Sequence, residues 1–255
     1  MRFFKPSSSR EAAQQFAYDA MEAKDQESAA RLCREALAIY PDCVDALSLL
    51  AEINCRTVRE YIAAMRRAVE AGRRDLGDRC FKRLRGRFWL ALETRPYMRA
   101  MACLADSLRQ CVEPECIDEA IGIYERMLEL NPNDNQGVRD PLAGCYLQRN
   151  RYDDAANLLR RYEKDWMAVA CWSRVLLAWA TSDEQLAAEL LEKAREQNPF
   201  VELYLTGRKR RPRTRPDFYS PGEDSEAVLC ADLLSAAWTS HPKARKWLKE
   251  RCAAS

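Results

Sequence analysis

Residues 117–146, IDEAIGIYERMLELNPNDNQGVRDPLAGCY, decide the fold. Ala120, Tyr124 and Met127 recur at spacings of four and three, so they share one face of a helix. Pro132 stops that helix, and Asn131, Asn133, Asp134 and Asn135 supply caps and turn chemistry. A second helix follows the corner, with Leu142, Ala143 and Tyr146 as its apolar positions. The stretch is a helix, a corner and the next helix.

Working outward, the same pattern returns at near-constant spacing. Ala29 to Ala64 is 35 residues, Ala120 to Ala155 is 35, and Ala155 to Ala187 is 32. A period of about 34 residues with paired helices is that of the tetratricopeptide repeat. Small residues let the paired helices approach, and large ones fill the gaps between neighbouring pairs. The register slips once. Ala64 to Ala120 is 56 residues, which predicts an insertion of roughly one helix around 73–95.

Helix pairs are expected at about 10–24 and 26–39, from 43 to near Gly72, at 135–149 and 152–164, and at 166–180 and 183–197. Ser7, Ser8 or Ser9 caps the first helix. Pro141 falls inside the 135–149 helix, where it removes a backbone bond and should bend the helix, with Gly137 relieving the clash. Residues 206–222, TGRKRRPRTRPDFYSPG, hold three prolines and no helical period. A last pair, about 223–239 and 242–252, is expected to cap the stack. The expected fold is all-α: a right-handed tetratricopeptide-like helical-hairpin solenoid with one helical insertion and a C-terminal capping pair. Its parts are a tail at 1–8, the solenoid at 9–199, a basic Pro-rich connection at 200–222 and the cap at 223–255.

Composition narrows the function classes. Hydrophobic residues make up 47% and charged residues 31%, with a formal net charge of +2, so bulk electrostatics do not point to nucleic acid or membranes. Eleven cysteines are present, without a CxxC; Cys111 and Cys116 come nearest, four residues lying between them. With no second pair and no nearby His, no metal site is expected, and the thiols read as small helix-buried groups in a reducing compartment. The N-terminus MRFFKPSSSREAAQQF lacks an apolar signal core, and no run approaches the ~18 apolar residues of a membrane helix. A cytoplasmic protein without a membrane partner is expected.

Three segments carry a family resemblance: ALAIYPDCVDALSLLAEI (36–53), AMRRAVEAG (64–72) and PGEDSEAVLCADLLSAAW (221–238), followed by Ala244 and Leu248. They resemble the tetratricopeptide-like region of the suppressor of tumorigenicity seven family, and Gly-Glu-Asp-Ser-Glu-Ala is the least generic part. The hydrophobic N-terminal segments of that family's members from higher organisms have no match here. The resemblance implies a helical-repeat fold and brings no catalytic residues and no cofactor.

Enzyme chemistry finds no support. The single histidine, His241, stands in a loop beside Ser240, and there is no P-loop and no GxGxxG. No catalytic residue, cofactor or metal is expected. First helices of such repeats line an inner groove, and by register Tyr18, Arg109, Asp140, Trp172 and Trp179 face it as candidate anchors for a protein or peptide. Asp140 and Arg109 come from adjacent repeats. The alternative is a nucleic acid or other polyanion held by basic segments 73–87 and 208–215. The residues there are Arg83, Arg85, Arg87, Arg208, Lys209, Arg210 and Arg211, with Arg213 and Arg215 alongside and Phe81, Phe88 and Trp89 interleaved. The chaperone-binding carboxylate clamp is excluded, because Gln14 and Tyr18 stand where it needs Lys and Asn.

Overall fold

A computed structural model describes residues 8–253 except 112, 215 and 217. The expected Ser7 cap, the tail up to that residue, and Arg215 lie outside the described residues. Among the described residues every element is helical. None of these helices is long and apolar enough to cross a membrane. The chain divides into two compact units, Met1–Gln136 and Gly137–Ser255.

In the first unit, α1 (Ser9–Met21) pairs with α2 (Gln26–Ile39), α3 (Val44–Asn54) with α4 (Val58–Leu84), and α5 (Arg95–Arg109) with α6 (Pro114–Leu130). Side-chain caps start three of them. Ser8 accepts from the Glu11 N–H, Asp25 from Ser28 and Thr57 from Glu60, each satisfying a donor the helix cannot. Small residues set the spacing: Ala13, Ala17 and Ala20 share a buried cluster with Cys33, Ala36 and Ala46. A close crossing lies at Gly72. A Cβ there would lie 2.8 Å from Tyr97 Cδ2 and 3.0 Å from Val44 Cγ2.

The extra residues around 73–95 are spent in continuing α4. Gly77 leaves the helical region (φ 61°, ψ 161°) and breaks α4, which resumes to Leu84. Two 3-10 turns, Phe88–Leu90 and Leu92–Thr94, then deliver the chain to α5. Phe81 and Phe88 of this segment pack on each other and on Tyr97, and Trp89 is half-buried. Phe88 is fully buried, its ring 5.0 Å from Phe81 and 6.4 Å from Tyr97, and Arg95 lies over Trp89. Interleaving with basic residues therefore reflects a core contact, and Phe88 cannot stack on bases.

In the second unit, α7 (Arg139–Gln148) pairs with α8 (Tyr152–Arg161) and α9 (Ala168–Ala180) with α10 (Glu184–Gln197). The segment after Pro199 opens with a short helix, α11 (Val201–Thr206), ended by Gly207 in the left-handed region. Then come α12 (Asp224–Ser240) and α13 (Pro242–Ala253). The expected bend at Pro141 is corrected. Pro141 is the third residue of α7, in the first turn, where its nitrogen has no intrahelical bond to lose. Gly137 (φ 69°) lies outside the helix and turns the chain into it.

Candidate functional site

In the second unit, α7 and α9 are the first helices of their hairpins, and α12 lies against both. Three features seat it. A Cβ on Gly144 of α7 would lie 2.6 Å from the Leu233 carbonyl oxygen, so glycine alone permits this approach. Trp172 of α9 and Trp238 of α12 are fully buried and meet edge to face, ring centroids 6.4 Å apart. The Glu226 carboxylate accepts from the Ala168 N–H (2.9 Å), Gln197 Nε2 (3.0 Å), Asn198 Nδ2 (3.0 Å) and the Gly222 N–H (2.7 Å). It is a buried acceptor facing the backbone donors at the start of α9.

Within this unit α12 thus packs across α7 and α9. Trp172, expected as an anchor in an open groove, is core packing against that helix. Asp140 is half-buried and lies in the same seam, since its charge, after burial and Glu226, helps push the Cys230 thiol of α12 well above the ordinary range. Trp179 is half-buried on α9. His241 also differs from the roleless loop histidine expected. It is buried, with Nδ1 2.8 Å from the Ala237 carbonyl and Nε2 2.9 Å from the Tyr152 hydroxyl, tying the end of α12 to α8. Both ring nitrogens are occupied by structural contacts.

The first unit offers a different face. Its first helices α1, α3 and α5 are joined by one buried carboxylate, Asp45, which accepts from Gln14 Nε2 (2.7 Å) and Arg99 Nη2 (2.6 Å). Asp75 of α4 accepts from Arg10 Nη2 (2.7 Å) and the Tyr40 hydroxyl (2.6 Å). That bond, then burial and the Asp75 charge, push the Tyr40 hydroxyl up to about 12. Beside these pairs is a cavity of about 370 Å³, lined by Arg10, Glu11, Gln14 and Tyr18 of α1, by Leu92 and Glu93, and by Pro96. Tyr18 is 43% exposed and Leu92 67%, so two apolar groups stand open between charges of both signs. Arg109, half-buried at the last residue of α5, is not part of this lining. Of the five expected groove residues, Tyr18 lines this cavity, and Asp140 lines a much smaller cleft between α7, α8 and α9.

The basic segments divide. Arg208 donates to the Cys252 carbonyl (2.7 Å), Lys209 pairs with Asp224 (2.6 Å) and Arg211 with Asp232 (3.3 Å). Lys209 also lies over the Tyr204 ring. These three cations fasten the 208–211 strand of chain to α12 and α13, while Arg210 and Arg213 are exposed. In the other segment Arg74 pairs with Asp42 and Arg83 with Glu93 (3.8 Å), whereas Arg85 and Arg87 are exposed without an acidic partner among the described residues.

Sequence reasoning missed Asp45, Arg99, Glu226 and Trp238. An Asp in the first turn of α3 and a Glu in the first turn of α12 read as ordinary dipole-favourable surface residues, and nothing local reveals their burial.

Residues 117–165 match the family model described as tetratricopeptide repeat. No curated protein matches the chain. Among solved structures, YrrB, described as a TPR protein with an unusual peptide-binding site, is similar at a TM-score of 0.53 and 19% identity, over 72% of this chain and 84% of that one. MamA is similar at 0.47 and 16% identity over 74% and 91%, and pilF of Pseudomonas aeruginosa at 0.35 and 19% over 74% and 91%. The all-α fold of paired helices is thus tetratricopeptide-like, with the family model covering the corner and the hairpin that follows it.

Proposed function

We propose that the protein is a non-catalytic protein–protein interaction scaffold that takes a peptide or protein partner on the inner face of its first unit. The observation that carries this reading is the contrast between the two units. In the second, α12 covers α7 and α9; in the first, Tyr18 and Leu92 stand exposed at a cavity beside the Asp45 and Asp75 networks. Those networks fix the surrounding backbone, which lowers the ordering cost of binding. A segment with one apolar anchor flanked by charged or amide side chains suits the mixed lining. The peptide-binding description of YrrB makes a peptide the first ligand class to try. A resemblance to the suppressor of tumorigenicity seven family fits the same scaffold reading, and its least generic residues, 222–227, include the Glu226 hub.

The test is selection of peptides from a display library on the full-length protein, followed by affinity measurement on variants. Selected peptides should lose about tenfold or more with Tyr18→Ala or Leu92→Asp, as expected for an anchor contact. Peptides indifferent to both substitutions refute this face as the site.

Polyanion binding is the second reading, and the exposed, unpaired Arg85 and Arg87 favour it. Titration of labelled RNA or heparin at several salt concentrations decides it. Binding that weakens steeply with salt and is lost in Arg85→Ala/Arg87→Ala supports it; no binding at low salt removes it.

A further inference from the structure

The geometry points to a binding site for one soft divalent cation of the zinc class at Cys111, Glu113 and Cys116, where α5 hands over to α6. The two thiol sulfurs and the Glu113 carboxylate all lie within 4.8 Å of one another. Tetrahedral zinc with bonds of about 2.3 Å to sulfur sets two thiolates about 3.8 Å apart, a separation of the same order as the 4.8 Å limit within which these atoms lie. Four residues lie between the two cysteines, a spacing that does not by itself suggest a site. The fold supplies the approach: Cys116 is the third residue of α6, in its first turn, with its N–H on the Glu113 carbonyl (3.1 Å), and the Cys111 N–H bonds to the Leu108 carbonyl (3.0 Å). Both ligand-bearing backbones are therefore held.

A divalent cation with two thiolates and a carboxylate carries one net negative charge. Arg66 of α4 is already paired with Glu119, which it meets with Nε at 2.9 Å and Nη2 at 2.5 Å, so the loaded site keeps its one negative charge where solvent can screen it. None of the three ligand residues is fully buried, so the cation has access. Three protein ligands leave the fourth position to water, the pattern of exchangeable rather than sealed sites. Soft thiolates select zinc, cadmium and cobalt over magnesium or calcium.

The site is tested by titrating Co²⁺ into the reduced full-length protein. One equivalent should produce a thiolate-to-cobalt charge-transfer band and the d–d absorption of tetrahedral cobalt, and zinc should displace it. Cys111→Ser/Cys116→Ser should abolish both signals while Cys80→Ser keeps them, and Glu113→Gln should weaken binding by about tenfold or more. Circular dichroism of each variant reports folding separately. Absence of a thiolate band, or its persistence in the folded double variant, overturns the assignment.

Discussion

Trp172 and Trp238 face each other edge-on at 6.4 Å with no solvent exposure, and this contact pins α12 to the first helices of the repeats in its own unit. Neither indole N–H has a hydrogen-bond partner, so the pair works through ring packing alone. Trp238→Ala should destabilise the second unit by about 3–5 kcal/mol by leaving a large cavity. Trp238→Phe, which keeps an aromatic and forfeits no hydrogen bond, should cost far less. Hydrogen exchange of α7 and α9 amides under increasing urea would separate the two, because a two-unit chain need not unfold in one step. Equal protection loss in both variants would show that bulk, not the aromatic contact, holds the seam.

Two glycines make an internally controlled comparison. Gly144→Ala sets a Cβ against the Leu233 backbone carbonyl at 2.6 Å, and a carbonyl in mid-helix cannot rotate away. The substitution should cost about 1–3 kcal/mol and raise exchange along α12. Gly122, exposed in the middle of α6 with nothing within 4 Å of a Cβ, should gain about 0.5–1 kcal/mol on replacement by Ala. Denaturant midpoints of the two single variants should move in opposite directions.

How much of this was legible in the sequence depends on whether the information was local. Period and corners were: Ala120, Tyr124 and Met127 are all buried in α6, and the helix pairs fall near their expected bounds except α4, which runs on to Leu84 where an end near Gly72 was expected. Pro141 was misread because one residue of uncertainty in a helix start decides whether proline sits in a first turn or an interior. Trp172 has helical spacing that suits a groove as well as a core, and only the return of α12, some 60 residues later, decides between them. The paired state of Lys209 and Arg211 is likewise set by Asp224 and Asp232, which no charge count connects to them.

Glu226 and Asp45 play parallel roles, one in each unit: a buried carboxylate that gathers donors from separate helices. For Glu226 the consequence is direct. Glu226→Gln keeps the shape but turns one acceptor oxygen into a donor amide facing N–H groups, so at least one buried donor loses its partner. Destabilisation of about 2–4 kcal/mol is expected. The Ala168 and Gly222 amides should lose exchange protection first. Uniform loss across the unit, with no early change at those two amides, would contradict the hub.

Tyr40 gives the first unit a pH signature in the alkaline range. Its hydroxyl donates to Asp75, and an ionised ring would instead face that carboxylate, so the folded state holds it neutral up to about 12 against an ordinary value near 10. A folded pKa above the unfolded one means the fold favours the protonated form. That contribution is complete below pH about 10, declines as pH rises above it, and is gone above about 12. Tyr40→Phe removes the hydroxyl, so the variant should be less stable than the parent near neutrality and should lack this part of the alkaline decline. The ultraviolet difference titration, parent minus variant, should show one tyrosinate appearing near pH 12. A step near pH 10 would mean that the Asp75 contact does not persist in solution.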